Sequence, residues 1–267
     1  MGAAPHAETA ALVTGGAQGL GLAIARRLVD EGCRKIVLAD RNVEGGAAAA
    51  AALAAVGADC HFVAVDMGDA ADAAAMVDAA AARMGRVTAL VNAAANTDRG
   101  SILDTTAAQW DAILNVNARG PFFALQRFAQ RAIAAGHAGT CVNILSIVVH
   151  GGLPVLAPYV ASKAALLGIT KNAAAALAAH RIRINGINVG WMDTPGEDAT
   201  QRRWHGRGDG WLAAAEAATP FGRLVKPEDV AWQAAFLLGP RSGVVTGSVI
   251  DFDQRVIGAY PDTDAVG

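Results

Sequence analysis

Residues 14–21 read Thr-Gly-Gly-Ala-Gln-Gly-Leu-Gly, and this stretch decides the fold. An apolar run at 10–14 leads directly into it, and a helical pattern follows it. Gly15, Gly19 and Gly21 therefore stand at a turn from a strand into a helix, where missing side chains let the backbone approach a pyrophosphate. The free N–H groups and the positive dipole end at the start of the helix favour the same anion. A plain turn is the alternative interpretation of these glycines.

The alternation that begins at this turn continues through the chain. Continuous apolar strands indicate a sheet that is covered on both faces, and strands that alternate with helices build a parallel sheet. We predict an α/β fold with a single doubly wound, Rossmann-type, seven-stranded parallel sheet flanked by helices, in one domain over residues 1–267. The predicted strands are 10–14, 35–39, 61–65, 89–92, 140–145, 183–189 and 248–251, and the predicted helices are 19–32, 43–56, 69–84, 106–135, 158–179 and 227–238.

Composition excludes several classes of protein. Hydrophobic residues make up 53% of the chain and charged residues 17%, which excludes disorder. The net charge of −2 gives no electrostatic reason to expect nucleic acid or an anionic membrane as a partner. The start of the chain lacks the pattern of a secretion signal, and the three cysteines lie in no metal-binding pattern. We expect a cytoplasmic protein without a metal or a membrane span.

One segment, 190–220, breaks the alternation and is rich in Trp, Arg, Asp and Glu. Long insertions in compact domains are usually functional loops or lids. We therefore predict that this segment is a substrate lid that follows the sixth strand.

An acidic residue, Asp40, ends the second predicted strand about 20 residues beyond the glycines. A carboxylate there can accept hydrogen bonds from both hydroxyls of an adenosine ribose, and it would repel a 2′-phosphate. This favours NAD over NADP, although Arg41 follows directly and would suit the phosphate. The alternative for Asp40 is an aspartate that only initiates a turn.

Two further strand ends carry weaker signals. Asp66, which precedes Met67, would receive an adenine amino group, or it would cap the next helix. Asn92, Ala93 and Ala94 follow the fourth strand, and small residues there let the backbone lie against a ribose. Close packing alone also explains them.

Tyr159 and Lys163 lie four residues apart in a helical pattern, so their side chains share one face. A free tyrosine has a pKa near 10. A neighbouring ammonium favours the phenolate and lowers that pKa, which makes tyrosine usable as a base. Such pairs also occur by chance on many helices.

Two polar residues complete this arrangement. Ser146 ends the fifth strand, where a hydroxyl can hold a substrate oxygen beside the phenol, or is an ordinary strand-end serine. Asn117 lies inside the long helical stretch, where asparagine is disfavoured unless its side chain has a role. A local kink that binds a water and extends a proton path from Lys163 would be such a role. A surface asparagine is the alternative.

Together these motifs resemble the short-chain dehydrogenase/reductase family, in order and spacing, over nearly the whole chain. The resemblance implies that Tyr159 is the general acid/base and that Lys163 lowers its pKa and binds the nicotinamide ribose. It implies that Ser146 positions the substrate oxygen and that Asn117 anchors the relay water. The cofactor site that we expect comprises Gly15, Gln18, Gly19, Leu20, Gly21, Asp40, Arg41, Asp66, Met67, Asn92, Ala93, Ala94, Tyr159, Lys163, Val189, Gly190, Met192 and Thr194.

The chain departs from the family pattern at three places. Val189 replaces the usual proline before Gly190, Ala95 replaces the usual glycine after the fourth strand, and the tail reads Ile-Asp-Phe-Asp-Gln254. The tail puts any detailed prediction of C-terminal subunit contacts in doubt. The glycine stretch lacks the basic residue that NADP-preferring members commonly carry, which again favours NAD.

The lid and its surroundings suggest the substrate. Tryptophan faces combined with carboxylates, arginines and imidazoles suit a sugar, polyol or small hydroxy acid, whereas a steroid or acyl chain needs mainly aliphatic residues. These charges would alternatively serve only to solvate the lid. The substrate residues that we predict are Ser146, His150, Trp191, Asp193, Glu197, Trp204 and His205.

We therefore expect an NAD-dependent oxidoreductase that acts on an alcohol or carbonyl carbon, and a homo-oligomer of two or four chains. Three alternatives stay open: the same chemistry on an apolar alcohol or ketone, a non-catalytic protein that binds NAD, and an extended relative that acts as a sugar-nucleotide epimerase or dehydratase. The last would normally carry a C-terminal substrate domain, which this chain lacks.

Overall fold

The computed structural model of the protein describes residues 4–259. Within them, seven strands form one parallel sheet in the order β3-β2-β1-β4-β5-β6-β7. The sequence order reverses between β1 and β4, and open α/β sheets bind ligands at this switch point. The predicted doubly wound sheet is confirmed. Its strands are β1 (Ala10–Thr14), β2 (Lys35–Asp40), β3 (Asp59–Ala64), β4 (Ala89–Asn92), β5 (Gly139–Ser146), β6 (Ile182–Val189) and β7 (Val249–Phe252).

Helices cover both faces of the sheet. One prediction is wrong: the stretch 106–135 is not a continuous helix, because a π-helical turn at Asn115–Arg119 separates two α-helices. The α-helices are α1 (Gly19–Asp30), α2 (Val43–Ala55), α3 (Ala70–Met84), α4 (Ala107–Leu114), α5 (Gly120–Ala134), α6 (Ala157–Leu177), α7 (Pro195–His205), α8 (Trp211–Ala217) and α9 (Pro227–Leu238).

Two apolar layers, one on each face of the sheet, form the core. Strand β1 shows the arrangement most clearly, because successive side chains of a strand point to opposite faces. Ala11 and Val13 join the layer that includes α1, α2 and α9, whereas Ala10 and Leu12 join the layer that includes α3 and α5. Every residue of β1 is buried, as the continuous apolar run predicts.

The segment 190–220 contains α7 and α8, which the sequence analysis did not predict. Trp191 and Trp211 stack with their ring centroids 6.1 Å apart, and together with Leu224 they belong to a small separate apolar cluster. The segment thus has its own packing beside the carboxyl end of β6. Its action as a lid stays a prediction.

Within residues 4–259, no helix has both the length and the apolar character that crossing a bilayer requires. The three cysteines are free thiols. Cys33 and Cys141 are buried, as expected for small apolar side chains, but Cys60 is only half-buried.

Helix α2 offers a sharp test of the core. Its buried residues are Gly46, Ala49, Ala50 and Leu53, so Leu53 supplies the only large apolar side chain with which this helix is anchored. We expect Leu53→Ala to lower the free energy of unfolding by about 3 kcal/mol, because it leaves a cavity beneath the helix. Val43→Ala, at an exposed position of the same helix, should change it by less than about 0.5 kcal/mol. Urea denaturation of both variants is the measurement, and equal losses would contradict the packing described.

Candidate active site

The glycine turn after β1 is shaped by close backbone contacts. Gly15 has φ 68°, and a Cβ there would lie 2.9 Å from the amide nitrogen of Ala94. A Cβ on Gly21 would collide with the carbonyl group of Gly15, so α1 packs directly on the turn. No side chain larger than hydrogen fits at either position without movement of the backbone.

The N-terminus of α1 is free to receive an anion. Gln18 precedes the helix in an extended conformation, its side chain caps no backbone group, and the first turn holds no acidic residue. A Cβ on Gly19 would meet the side chain of Thr194 at 3.7 Å, so the predicted residue Thr194 lies beside this turn. The uncapped N–H groups and the missing side chains together fit a pyrophosphate.

Asp40 lies at the edge of this cradle. One carboxylate oxygen accepts from the backbone N–H of Ala17 at 3.1 Å, and the other accepts from that of Asn42 at 2.9 Å. The aspartate therefore stabilises a turn and lies beside the glycine loop, and its contact with an adenosine ribose stays a prediction. Arg41 is exposed.

The loop after β3 places Asp66 on the surface, where its carboxylate accepts from the N–H of Gly68 at 2.8 Å. Asp69, and not Asp66, caps α3, because its side chain accepts from the first amides of that helix. The helix-cap alternative for Asp66 is therefore wrong. Met67 is buried, and its carbonyl oxygen lies against Gly120.

Thr14 holds the loop after β4, which the sequence analysis did not foresee. Its hydroxyl donates to the carbonyl of Val91 at 3.2 Å and accepts from the amides of Ala93 and Ala94 at 3.0 and 3.2 Å. Asn92 is buried and donates to the side chain of Asn143 at 2.8 Å. The loop that closes on Gly15 is thus fixed from two sides.

The end of β6 carries the next group of predicted cofactor residues. Val189 is buried and pairs with Ser146 in the sheet, so the valine in place of proline keeps its place in the strand. Gly190 donates its N–H to the carbonyl of Phe252 at 3.0 Å. Met192 then forms an isolated parallel bridge to Val225. The contacts of Gly190 and Met192 therefore fix the path of the chain between β6 and α7.

Lys163 lies under Tyr159 on the same face of α6. Its ammonium is 5.6 Å from the centroid of the tyrosine ring and donates to the carbonyl of Ile144 at 2.8 Å. Only 2% of Lys163 is exposed, and this burial lowers its pKa to about 8.

The pKa of Tyr159 is raised, whereas the sequence predicts that it is lowered. Burial raises it to about 12; a hydrogen bond with Ser146 and the charge of Arg99 lower it, and the charge of Glu197 raises it further. We expected Lys163 to lower this pKa. In the chain alone, the desolvation that disfavours the ammonium also disfavours the phenolate, and the lysine hydrogen bond goes to Ile144.

Asn117 lies in the π-helical turn and is fully buried, so the alternative of a surface asparagine is wrong. Its side-chain oxygen accepts from the N–H of Asn96 at 2.7 Å. Its amide group donates to the carbonyl of Asn96 at 2.8 Å and to the hydroxyl of Ser162 at 3.0 Å. The side chain therefore ties the loop after β4 to α6, and water binding at the kink stays a prediction.

Besides Ser146, two predicted substrate residues of α7 have contacts that relate them to the reacting end of the site. Glu197, in the first turn of α7, affects the pKa of Tyr159, and it accepts from the indole N–H of Trp191 at 2.8 Å. His205, at the end of α7, accepts from Nε of Arg99 at 3.3 Å when its ring presents an unprotonated Nε2. Arg99 escaped the sequence analysis because it lies in no motif.

Three further predicted substrate residues contact neighbouring side chains, and their contact with substrate stays a prediction. Asp193 forms an ion pair with Lys226 at 2.8 Å. His150 lies 3.0 Å from the carboxylate of Asp251, near the carboxyl end of β7. Trp204 is exposed, and the guanidinium of Arg203 lies 4.9 Å from its ring centroid.

A cleft of about 460 Å³ opens between α7, α8 and the start of α9. Thr194 connects it to the glycine turn, but neither Tyr159 nor Ser146 lines it. The cleft therefore flanks the cofactor cradle and is separate from the reacting groups. Its lining residues are Asp193, Thr194, Pro195, Asp198, Trp211, Leu212, Lys226, Pro227 and Glu228.

Comparison with known proteins extends this picture. Residues 15–254 match the family model described as enoyl-(acyl carrier protein) reductase. Galactitol 2-dehydrogenase of Agrobacterium fabrum is 33% identical over 249 residues, which cover 91% of this chain and 95% of that protein. NADP-dependent (R)-specific alcohol dehydrogenase of Lentilactobacillus kefiri is 34% identical over 241 residues, which cover 89% of this chain and 92% of that protein.

A solved structure shows the same likeness in three dimensions. The structure of an NAD⁺-bound xylitol dehydrogenase superposes with a TM-score of 0.84 at 26% identity, and the match covers 94% of this chain and 99% of that one. The family-model match begins at Gly15 in the glycine turn and includes strands β2 to β7 and the helix that carries Tyr159 and Lys163. The chain belongs to the short-chain dehydrogenase/reductase family.

Proposed function

We propose that this protein is an NAD-dependent oxidoreductase that transfers a hydride between nicotinamide and the alcohol or carbonyl carbon of a small polar substrate, such as a sugar, a polyol or a hydroxy acid. One observation carries the proposal. The ring centroid of Tyr159 lies 5.6 Å from the buried ammonium of Lys163, and Ser146 lies close enough to lower the pKa of the phenol, at the same sheet edge as the glycine cradle.

The proton chemistry follows from these three side chains. In the oxidation, the phenolate of Tyr159 would take the proton of the carbinol oxygen, while the carbinol carbon would give up a hydride to the bound cofactor. Ser146 holds that oxygen beside the phenol. The ammonium of Lys163, most of which stays protonated at neutral pH because its pKa is about 8, would favour the phenolate once oxidised cofactor is bound. NAD⁺ supplies the hydride acceptor and a positive charge that favours the phenolate.

The proton then needs a route to solvent. Asn117 lies beside Ser162, one residue from Lys163, and the π-helical turn interrupts the regular hydrogen bonds of the surrounding helix. We place a bound water at this interruption, from which a proton path continues from Lys163. The side chain of Asn117 already makes hydrogen bonds to Asn96 and Ser162. Asn117 would therefore contribute by fixing the π-helical turn that holds the water.

Asp40 supports NAD as the cofactor. Its carboxylate is fixed beside the glycine turn, and a 2′-phosphate in hydrogen-bond range would be repelled by about 4 kcal/mol per unit charge at an effective dielectric constant of 20. The relatives include both an NADP-dependent enzyme and one solved with NAD⁺. The preference of this chain between NAD and NADP therefore depends on its own residues.

The polar substrate is supported by two kinds of observation. Galactitol and xylitol dehydrogenases are among the similar proteins. Charged groups of Arg99 and Glu197 affect the pKa of the phenol, and an aliphatic substrate would desolvate them and leave their remaining donors and acceptor unpaired. An apolar alcohol is therefore the less favourable ligand for this site.

We also propose that the protein acts in the cytoplasm as a homo-oligomer. Its α4–α5 surface exposes Trp110, Phe122 and Ile133, each by 41–42%. A second copy of the chain packed against α4 and α5 would remove these side chains from water.

The glycine cradle can be tested with a matched pair of variants. Gly15 and Gly136 have φ of 68° and 69°, but only Gly15 has backbone atoms where a Cβ would lie. Both changes to alanine should cost stability because of the left-handed conformation. Only Gly15→Ala should weaken NADH binding, by at least about tenfold, since it forces the two loops apart. A fluorescence titration with NADH measures this, and equal binding by both variants would refute the cradle.

The choice of dinucleotide can be tested at Asp40. Asp40→Asn keeps the shape and an acceptor for Asn42, but it removes the charge. We expect the ratio of kcat/KM for NAD to that for NADP to fall by at least about tenfold, because the repulsion of the 2′-phosphate is lost. Glu44→Gln, an exposed acid in the next helix, serves as the control. An unchanged ratio in Asp40→Asn would remove the argument for NAD.

The catalytic assignment can be tested at Tyr159. Tyr159→Phe removes only the hydroxyl, so NADH should still bind while kcat falls by about 10²–10⁴-fold.

A panel of polyols, sugars, hydroxy acids and apolar alcohols, followed by NADH absorbance, identifies the substrate class and supplies the substrate for the assay of Tyr159→Phe. A near-normal rate in the variant would overturn the role of the phenol, and turnover of apolar alcohols alone would overturn the polar substrate.

A further inference from the structure

Two oppositely charged side chains lie on two segments that contact each other near Tyr159. Arg99 lies in the loop after β4, and Glu197 lies in the first turn of α7. His205, at the end of α7, lies 3.3 Å from Nε of Arg99, and the two charges also shift the pKa of Tyr159 in opposite directions.

The fold holds Arg99 at this place. The next residue, Gly100, donates its N–H to the carbonyl of Val155 at 2.9 Å. The carbonyl oxygen of Gly100 accepts from the N–H of Ala157, also at 2.9 Å. Ala157 begins α6, and Tyr159 lies in the first turn of that helix. At the other end of the loop, Asn117 makes two hydrogen bonds to the backbone of Asn96. The loop is thus tied at both ends to catalytic elements.

The guanidinium of Arg99 is oriented but not saturated. One terminal nitrogen donates to the carbonyl of Thr97 at 2.8 Å, and Nε donates to His205 at 3.3 Å. The other terminal nitrogen has no partner among residues 4–259, and the residue is half-buried. A guanidinium carries five donors, so Arg99 retains hydrogen-bonding capacity for a ligand.

The carboxylate of Glu197 is in a comparable state. Its Oε1 accepts from Trp191 at 2.8 Å and from the amide of Gln201 at 2.6 Å, and within the described part of the chain Oε2 has no partner. The amide oxygen of Gln201 is buried and also lacks a partner there. Oriented acceptors without donors are therefore available on this side of the site.

We propose that Arg99 and Glu197 are specificity-determining residues of the site, and that they bind two further hydroxyls of one neutral polyol whose carbinol is held by Tyr159. One hydroxyl oxygen accepts from Arg99, and another hydroxyl donates to Glu197. This inference rests on the proposed dehydrogenase function and narrows its substrate class.

The chemistry of the pair favours a polyol over the other polar substrates. A hydroxyl both donates and accepts, so a single kind of group satisfies the guanidinium and the carboxylate. A substrate carboxylate would be attracted by Arg99 but repelled by Glu197. A site built to hydrogen-bond a hydroxyl discriminates strongly against an analogue that lacks it, because buried polar groups are then left unpaired.

The test compares a polyol with its deoxy analogue. Xylitol, sorbitol and galactitol are assayed first, and the best of them is paired with the analogue that lacks the hydroxyl next to the oxidised carbon. We expect Arg99→Gln and Glu197→Gln each to lower kcat/KM for the polyol by at least tenfold, mainly through KM, and to reduce the preference for the polyol over its analogue.

Arg203→Gln is the matched control, because Arg203 is an exposed arginine on the same helix as Glu197 and pairs with Asp98 at 3.5 Å. It should leave the preference unchanged. NADH binding and thermal melting verify that each variant is folded. Arg99→Lys, which keeps the charge but loses the fork of donors, should recover part of the polyol activity. If Glu197→Gln fails to fold, the two Arg99 variants decide the matter.

Several outcomes would overturn the inference while the proposed function stands. One is an unchanged polyol preference in the variants, and another is an equal loss on polyol and analogue, which indicates a structural role. A third is a hydroxy acid as the best substrate, lost in Arg99→Gln and improved in Glu197→Gln. Binding of NADH without oxidation of any alcohol would instead overturn the proposed function itself.

Discussion

The hydrogen bond from the buried ammonium of Lys163 to the carbonyl of Ile144 is the contact on which the site depends. It joins the second turn of α6 to the carboxyl end of β5, and it thereby brings Tyr159 beside Ser146. A buried charge with few partners costs several kcal/mol, and the lowered pKa of Lys163 reflects this cost. The two apolar layers of the doubly wound sheet have to supply the compensating stability.

The electrostatics of the pair show why this cost is tolerated. Burial raises the pKa of Tyr159 to about 12 and lowers that of Lys163 to about 8, so desolvation drives the two groups towards their neutral forms. The ion pair of phenolate and ammonium is then unfavourable in the chain alone. It becomes favourable when a further positive charge lies nearby, as oxidised nicotinamide would. Under the proposed function, the protonation state of Tyr159 and Lys163 would therefore be coupled to NAD⁺ binding in the glycine cradle.

Local patterns in the sequence were sufficient for the fold and for the motif residues. Continuous apolar runs predicted the strands, and the disfavoured asparagine at 117 pointed to an interruption, which the structure has as a π-helical turn. The direction of the Tyr159 pKa was not predictable, because it depends on the burial of the whole site. Arg99 was missed for a similar reason. Its position follows from the pairing of Gly100 with Val155 and Ala157, a contact between distant parts of the chain that no local pattern encodes.

The division between scaffold and loops explains how chemistry and selectivity can be separated in this molecule. Ser146 and Lys163 lie on β5 and α6, where dense packing fixes them, whereas Arg99 and Glu197 lie on segments outside the sheet. Loops tolerate substitution better than packed elements do. The two segments are nevertheless connected, because Arg99 contacts His205, and the hydroxyl groups of Thr97 and Thr200 lie 3.4 Å apart. A displacement of α7 would consequently carry both charged groups, and the walls of the substrate site would adjust together while the proton-transfer groups stay in place.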